Sequence, residues 1–308
     1  MDGIVSVTII TWLAMTIRMS APLLFAGLGG LIAQKSGIFN FALEGMMLAG
    51  AFFGYYGSLI SGNPWVGLLF TIFAGALLGL LLAYTSIHLG ASQLVIGLGI
   101  SIFCLGLTGY LYRLLDATGG SNIAPTFPEV NIPILSKLPV LGPILFQHTF
   151  LVYIGLVVTA FIAWFFNKTT TGLNLRAVGE NPQMADTAGI DVYRYRYMAT
   201  IVSGMLASVG GGFLTLTQVP HFLENMTAGR GWIAFAAIIL GNYNPWGVLA
   251  ACLLFGAADA LQMQAQVLSV KIPYQILLMT PYIMAMLAMA GVVGKVRAPA
   301  AQGKPYIK

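Results

Sequence analysis

The feature that most constrains this chain is a series of long apolar runs, most of them about the length of a membrane-spanning helix. A helix needs about 20 apolar residues to cross the hydrocarbon core of a bilayer. The runs predict about nine membrane helices, with a range of about eight to ten because the first run is long and 229–242 is short. The predicted spans are residues 4–33, 40–60, 64–88, 92–115, 148–166, 197–219, 229–242, 246–267 and 273–293.

Charge is too scarce for a water-soluble fold. Charged residues make up 7% of the 308 residues, hydrophobic residues make up 58%, and the mean hydropathy is +0.87. A typical soluble domain carries roughly 25% charged residues, so a soluble protein of this size could not cover its surface. The runs are also too long for barrel strands and lack their alternating pattern. We therefore predict an all-α integral membrane protein, a polytopic helical bundle in which residues 1–308 form one membrane domain.

The distribution of lysine and arginine predicts the orientation, because short cytoplasmic loops carry an excess of both. The tail 294–308 and the polar segment 167–196 each hold four basic residues, and the tail has no acid. The segment 116–147 holds two acids, one lysine and five prolines. We expect the tail, with the C-terminus, and segment 167–196 in the cytoplasm, and 116–147 outside. The N-terminus has no basic stretch before its apolar run, which favours a retained first span over a cleaved signal peptide.

Small residues recur at a spacing of four in several runs. In lipid, close approach of backbones replaces the hydrophobic driving force, so such rows are typical of helix–helix contacts. They predict a compact bundle. The rows are Gly50 and Gly54, Gly75 and Gly79, and Gly204, Ser208 and Gly212.

The polar segment 167–196 gathers seven of the 23 charged residues of the chain. Within it, Asn181 suits a helix cap, Pro182 suits the first helical position and Gly189 suits a helix end. These residues predict a short amphipathic helix over about 182–188 on the membrane surface. Such a helix is either a handle that transmits motion from a soluble partner or part of a solvated loop that only sets topology. The residues alone leave both interpretations open.

The stretch GLNLRAVGENPQMADTAGIDVYRYR (172–196) closely resembles the cytoplasmic loop of ABC importer permeases of the branched-chain amino acid and ribose type. Two further stretches, GIFNFALEGMMLAGAFFG (37–54) and TAGRGWIAFAAIILGNYNPWG (227–247), resemble Gly-rich segments of that family, and the likeness runs from about residue 20 to 295. The resemblance implies that the loop supplies the coupling helix, which docks on a partner ATPase. The residues it implies for coupling are Arg176, Gly179, Glu180, Asn181, Pro182, Ala185, Asp186, Ala188 and Gly189.

Within that family, FALEGMMLAG, MTAGRGW and LLFGAADALQ are most similar to the smaller permease of bacterial nucleoside importers. That resemblance implies a second, paralogous permease in a heterodimer, with a homodimer left open. It also implies an ATPase chain with two nucleotide-binding domains and an external substrate-binding lipoprotein. This chain is expected to bind no cofactor, because ATP and magnesium belong to the partner ATPase. Membrane lipids surround the bundle, and no nucleic-acid partner is indicated.

Two Gly-rich segments predict where substrate passes, because transporters often build their pathway from short or interrupted helices in corresponding places. One segment leads from Gly37 to Glu44, and the other covers 229–235. A carboxylate in the membrane is expected to face a cavity or a partner, so Glu44 is either a pathway residue or a hydrogen-bond acceptor for a neighbouring helix end. The aromatic side chains offer flat surfaces to a nucleobase, or else pack and anchor. The candidate pathway residues are Phe39, Asn40, Phe41, Glu44, Gly229, Arg230, Trp232 and Phe235.

The sequence contains no Walker motif and no His–Cys metal spacing, and its polar residues build no convincing catalytic set. A membrane enzyme that acts on lipid is therefore the least favoured class. The favoured function is that of a permease subunit of an ATP-driven importer for nucleosides, working by alternating access in the bacterial plasma membrane. The alternatives are a simple-sugar or branched-chain amino acid permease of the same class, and an ion-coupled secondary transporter.

Overall fold

The computed structural model describes residues 2–117, 123–131, 141–267, 279–292 and 296–306, and these ranges are mostly helical. The helices are α1 (Asp2–Lys35), α2 (Leu43–Ser61), α3 (Pro64–Ala83), α4 (Gln93–Asp116), α5 (Leu141–Leu145), α6 (Phe150–Lys168), α7 (Thr170–Glu180), α8 (Pro182–Thr187), α9 (Val192–Phe213), α10 (Arg230–Leu240), α11 (Pro245–Val267) and α12 (Thr280–Val292). Helices α3 and α9 continue into π-helical turns at Tyr84–His88 and Leu214–Gln218. Strands β1 (Glu129–Asn131) and β2 (Gln147–Thr149) pair antiparallel, with Val130 opposite His148.

Every predicted apolar run contains a helix, but the number of spans differs from the number of runs. In the part of the chain that the structure describes, six helices are long and apolar enough to cross a membrane: α1, α3, α4, α6, α9 and α11. Helix α2 lies outside that set, and α10 has 11 residues. The last predicted span, 273–293, lies partly outside the described residues. About nine spans therefore stays a prediction, whereas the long first run forms one continuous helix, α1, with Pro22 inside it.

Helix α9 is the centre of the bundle and packs against α1, α2 and α3. The glycine rows permit this packing, because a Cβ atom at Gly50 would overlap the carbonyl of Ser208, and one at Gly75 would overlap the carbonyl of Gly204. The Ser208 hydroxyl donates a hydrogen bond to the Met46 carbonyl at 2.8 Å, which joins α9 to α2. The prediction that these small residues mark helix contacts is confirmed.

The polar segment 167–196 folds as α7, α8 and the first turns of α9. Helix α8 begins as the sequence predicts: Pro182 occupies its first position, and the Asn181 side chain accepts a hydrogen bond from the Met184 N–H at 3.1 Å. Gly189 follows α8 with φ +83°, a conformation that glycine adopts without steric cost. Helix α7 was not predicted from the sequence. Because α9 begins at Val192, Arg196 lies on a membrane-entering helix and not in a loop.

Candidate functional site

Glu44, in the first turn of α2, binds the start of α10. Its Oε1 accepts hydrogen bonds from the Thr227 hydroxyl at 2.6 Å and the Gly229 N–H at 2.9 Å. Its Oε2 accepts one from the Gly231 N–H at 2.6 Å. The first N–H groups of a helix have no partner within the helix and lie at the positive end of its dipole. The carboxylate therefore satisfies these donors and is neutralised in part by them.

The sequence TAGRG builds this carboxylate-binding turn. Ala228 and Gly229 both have positive φ, +45° and +84°, so the chain turns sharply before α10. A Cβ atom at Gly231 would overlap the backbone of Glu44, which means that only glycine lets the two helices approach this closely. The Arg230 guanidinium donates to the carbonyl oxygens of Met226 at 3.2 Å and Thr227 at 3.4 Å, which closes the turn from the other side.

Three phenylalanine rings from the same two segments lie together. The ring centroids of Phe39 and Phe41 are 5.2 Å apart, and those of Phe41 and Phe235 are 5.1 Å apart with 25° between the planes. All three rings are half-buried, so part of their surface is accessible. We call them the phenylalanine cluster. It brings together the two Gly-rich segments that the sequence singled out, although they lie far apart in the chain.

Asn40 and Trp232 belong to the same two segments but lie differently. Asn40 is buried: its amide donates to the Ser203 hydroxyl at 2.9 Å, and its carbonyl oxygen accepts from the Ala42 N–H at 3.0 Å. It therefore anchors the α1–α2 connection to α9. Trp232 is exposed, on α10. The pathway roles of all these residues stay predictions.

The residues implied for coupling divide between a buried face and an exposed face. Pro182 and Ala185 lie on the buried face of α8, whereas Met184, on the opposite face of the same helix, is 70% exposed. Gly179 is buried against the end of α1, where a Cβ atom would overlap the carbonyl of Lys35. The Glu180 carboxylate accepts a hydrogen bond from the Ala300 N–H at 3.3 Å. The other implied residues lie at the surface or half-buried: Arg176, Asn181, Asp186, Ala188 and Gly189.

Arg196 is a functional candidate that the sequence reasoning missed, because it was counted as a cytoplasmic loop residue. Its side chain is 1% exposed, and it donates to the Ser36 carbonyl from Nε and to the Lys304 carbonyl from Nη1, both at 3.3 Å. The signal in the sequence was its spacing. Arg196 lies four residues from Val192 and from Thr200, both buried on the face of α9 that continues into the glycine row.

Comparison with known proteins places the chain in a family. The family described as the permease component of the branched-chain amino acid transport system matches residues 12–293. The chain belongs to this permease family. It is therefore a multi-pass membrane permease and not an enzyme.

Individual relatives are similar over nearly the whole chain. The guanosine ABC transporter permease NupQ of Bacillus subtilis is 39% identical over 95% of both chains. The nucleoside ABC transporter permease NupC of Lactococcus lactis is 38% identical over 94% of both. A putative glucose ABC transporter permease of Haloferax volcanii, TsgC13, is 35% identical over 83% of this chain and 78% of its own. A second guanosine permease of Bacillus subtilis, NupP, is 27% identical over 78% of this chain and 71% of its own.

Proposed function

We propose that this chain is the smaller permease subunit of an ATP-driven ABC importer that carries nucleosides across the bacterial plasma membrane by alternating access. The observation that carries the proposal is the similarity to NupQ and NupC, which extends over nearly the full length of all three chains. Membrane spans and extramembrane segments are both included in that similarity. The chain is expected to bind no cofactor, since ATP and magnesium belong to the partner ATPase.

The assembly contains a second permease, an ATPase and an external binding protein. Two different guanosine permeases of Bacillus subtilis, NupQ and NupP, are both similar to this chain, which supports pairing with a paralogous permease. The resemblance of segment 172–196 to coupling loops supports an ATPase partner, with two nucleotide-binding domains in one chain. A substrate-binding lipoprotein completes the importer. Segment 167–196 and the C-terminus lie in the cytoplasm, and 116–147 lies outside.

Helix α8 is the element that the ATPase moves. Its geometry supports this role, because its buried face packs on α7 and α9 while Met184 faces outward. A face that packs on the bundle transmits displacement to it, and the opposite, exposed face is accessible to a partner. ATP binding moves α8, the bundle then admits the captured substrate, and hydrolysis resets the assembly.

The substrate passes the phenylalanine cluster. Every nucleobase has a π face, so aromatic rings bind bases without selecting among them. The half-buried rings of Phe39, Phe41 and Phe235 present such a surface beside a break between two helices. Glu44 holds the start of α10 against α2 and thereby keeps Phe235 next to Phe41.

Reconstitution tests this function. The complete assembly in vesicles is supplied with binding protein, labelled guanosine and labelled glucose, with and without ATP. We expect ATP-dependent uptake of guanosine and stimulation of ATP hydrolysis by guanosine-loaded binding protein. An intact assembly that hydrolyses ATP without response to any nucleoside would contradict the proposal.

A simple sugar is the second candidate cargo, because the putative glucose permease TsgC13 is also 35% identical. The same vesicles separate the two cargoes. Uptake of glucose in preference to guanosine would retain the importer and replace the substrate. Uptake of either cargo on an ion gradient without ATPase would instead support a secondary transporter.

A further inference from the structure

The segment 299–306 runs between helices α7 and α8, which form the proposed coupling region, and the phenylalanine cluster, and we call it the tail strap. Its Ala301 N–H donates to the carbonyl of Gly179, at the end of α7, at 3.0 Å. Two residues later, its Gly303 N–H donates to the carbonyl of Gly37, after α1, at 2.9 Å. The strap therefore bonds the coupling region on one side and the α1–α2 connection on the other.

Tyr306 fastens the strap to α8. Its side chain is 7% exposed and packs in one apolar cluster with Val178 of α7, Ala185 of α8 and Val192 of α9. Its ring also lies 5.6 Å from the ring of Tyr193. Because Ala185 is on the buried face of α8, a displacement of α8 presses directly on the strap.

Arg196 fastens the strap to the bundle. The guanidinium bonds Ser36 and Lys304 together, so the end of α1, the start of α9 and the strap meet at one side chain. The Nη2 of Arg196 is buried and has no hydrogen-bond partner among the described residues. An unsatisfied donor in a buried site costs free energy, so a shift of the strap that brought a carbonyl oxygen to Nη2 would be favoured.

The strap touches Phe39 at one glycine. Gly303 has φ +75°, and a Cβ atom at this position would lie 2.9 Å from the Phe39 ring. A cavity of about 530 Å³ lies beside this contact, lined by Phe39, Phe41, the start of α4 and the strap itself. The Phe39 ring therefore has the strap on one side and free volume next to it, so a shift of the strap moves the ring.

We infer that the tail strap is a positioning segment for transport: it carries the displacement of α8 to Phe39 and so opens the phenylalanine cluster. The inference rests on the proposed function, since it takes α8 as the element that the ATPase moves. The strap would determine how much transport each ATP yields, whereas ATP hydrolysis itself stays with the ATPase.

Gly303→Ala tests the strap, and Gly62→Ala is the matched control. Both glycines have positive φ, so the backbone strain of an alanine is similar, but a Cβ atom at Gly62 meets no atom within 4 Å. The readout is nucleoside imported per ATP hydrolysed by the complete reconstituted assembly. We expect Gly303→Ala to lower this ratio at least about fivefold with ATP hydrolysis retained, because its Cβ atom displaces the Phe39 ring in addition to the backbone strain that both variants share. Gly62→Ala is expected to stay within about twofold of the unmodified protein.

A second variant keeps the test decisive if Gly303→Ala does not assemble. Tyr306→Leu weakens the packing on Ala185 but leaves the backbone hydrogen bonds of the strap in place, and it should also lower import per ATP. A ratio equal to that of Gly62→Ala in an assembled variant would overturn the inference and indicate that the direct packing of Gly179 on α1 carries the movement. Loss of assembly in both variants would overturn it too, because the strap would then serve folding. If the unmodified assembly imports no nucleoside with ATP, the proposed function itself is wrong. That result is distinguishable from a failure of the strap inference, which requires an active unmodified assembly.

Discussion

Glu44 and Arg196 are two charged side chains within the bundle, and both are neutralised by helix ends. Glu44 accepts from the N–H groups at the start of α10, the positive end of that helix dipole. Arg196 donates to the carbonyl that follows α1, at the negative end of its dipole, and to the strap. For neither side chain does the described part of the chain show a salt bridge within 4.0 Å. These two charged side chains are thus bonded largely by the backbone of the same chain.

The two sites differ in the lengths of the hydrogen bonds that the charged group makes. The three hydrogen bonds of Glu44 are 2.6 to 2.9 Å long, whereas the two of Arg196 are 3.3 Å and leave Nη2 unbonded. Short bonds to a charged group are the stronger ones. Glu44 therefore makes α2 and the start of α10 one rigid unit, while the Arg196 site can change partners. Under the proposed function, we expect movement to enter at the end of the bundle that holds Arg196 and the turn bound by Glu44 to move as a whole.

The largest effect is expected for Glu44→Met, which keeps the length of the side chain but removes every acceptor oxygen. The N–H groups of Gly229 and Gly231 would lose their partner in a half-buried place. We expect a loss of about 3 kcal/mol in the free energy of unfolding, since each unsatisfied donor costs about 1–3 kcal/mol. The measurement is thermal unfolding of the purified complex in detergent, together with nucleoside uptake.

Two further variants separate the charge of Glu44 from its acceptor oxygens. Glu44→Gln retains one acceptor oxygen and should lose about half as much stability. Glu129→Gln serves as the control for the substitution itself, because Glu129 is exposed and its surface ion pair with Arg18 is expected to contribute little. Equal stability of Glu44→Met and the unmodified protein would show that packing, and not the carboxylate, holds the start of α10. It would contradict the conclusion that Glu44 is the more strongly held of the two charged groups.

A smaller effect is expected for Arg196→Met, because its hydrogen bonds are longer. The carbonyl oxygens of Ser36 and Lys304 would lose a donor, and we expect a loss of about 2 kcal/mol. Arg194→Met is the matched control, since Arg194 lies two residues away on the same helix and is exposed. The measurement is again thermal unfolding. A loss of unfolding free energy larger than that of Glu44→Met would contradict the conclusion that Glu44 is held more strongly than Arg196.

The smallest effect is expected at an exposed ion pair. Arg113 bonds Glu224 at 2.7 Å, and this hydrogen bond holds the pKa of Glu224 below its ordinary value of 4.5. A carboxyl group with a lowered pKa in the folded state stabilises it fully above the ordinary pKa, and this contribution is lost as the pH falls through the folded-state pKa. The unfolding temperatures of Glu224→Gln and the unmodified protein should therefore differ slightly at pH 7 and converge in acid. A difference that grows in acid would contradict this sign.

The helices within the apolar runs, and the faces on which they meet, could be predicted because they depend on local composition. Long apolar runs indicate helices, and rows such as Gly204, Ser208 and Gly212 indicate close contacts between helices. The caps of α8 are equally local, because Asn181 acts on its own first turn. Helix α7 and the burial of Arg196 were missed, since both depend on what packs against them. A polar segment beside the membrane has the same composition whether it is a loop or a packed helix.

The sequence by itself determined a membrane-bound helical bundle, the position of the short helix α8 and the two Gly-rich segments that the tertiary structure brings together. Hydrophobicity and helix caps act over a few residues, so these features can be derived from residues that are close together in the sequence. Only the tertiary structure decided that Glu44 binds the start of α10, that three phenylalanines meet, and that residues 299–306 lie between α7 and Phe39. These contacts join residues that are far apart in the chain, and their partners follow from how the helices pack.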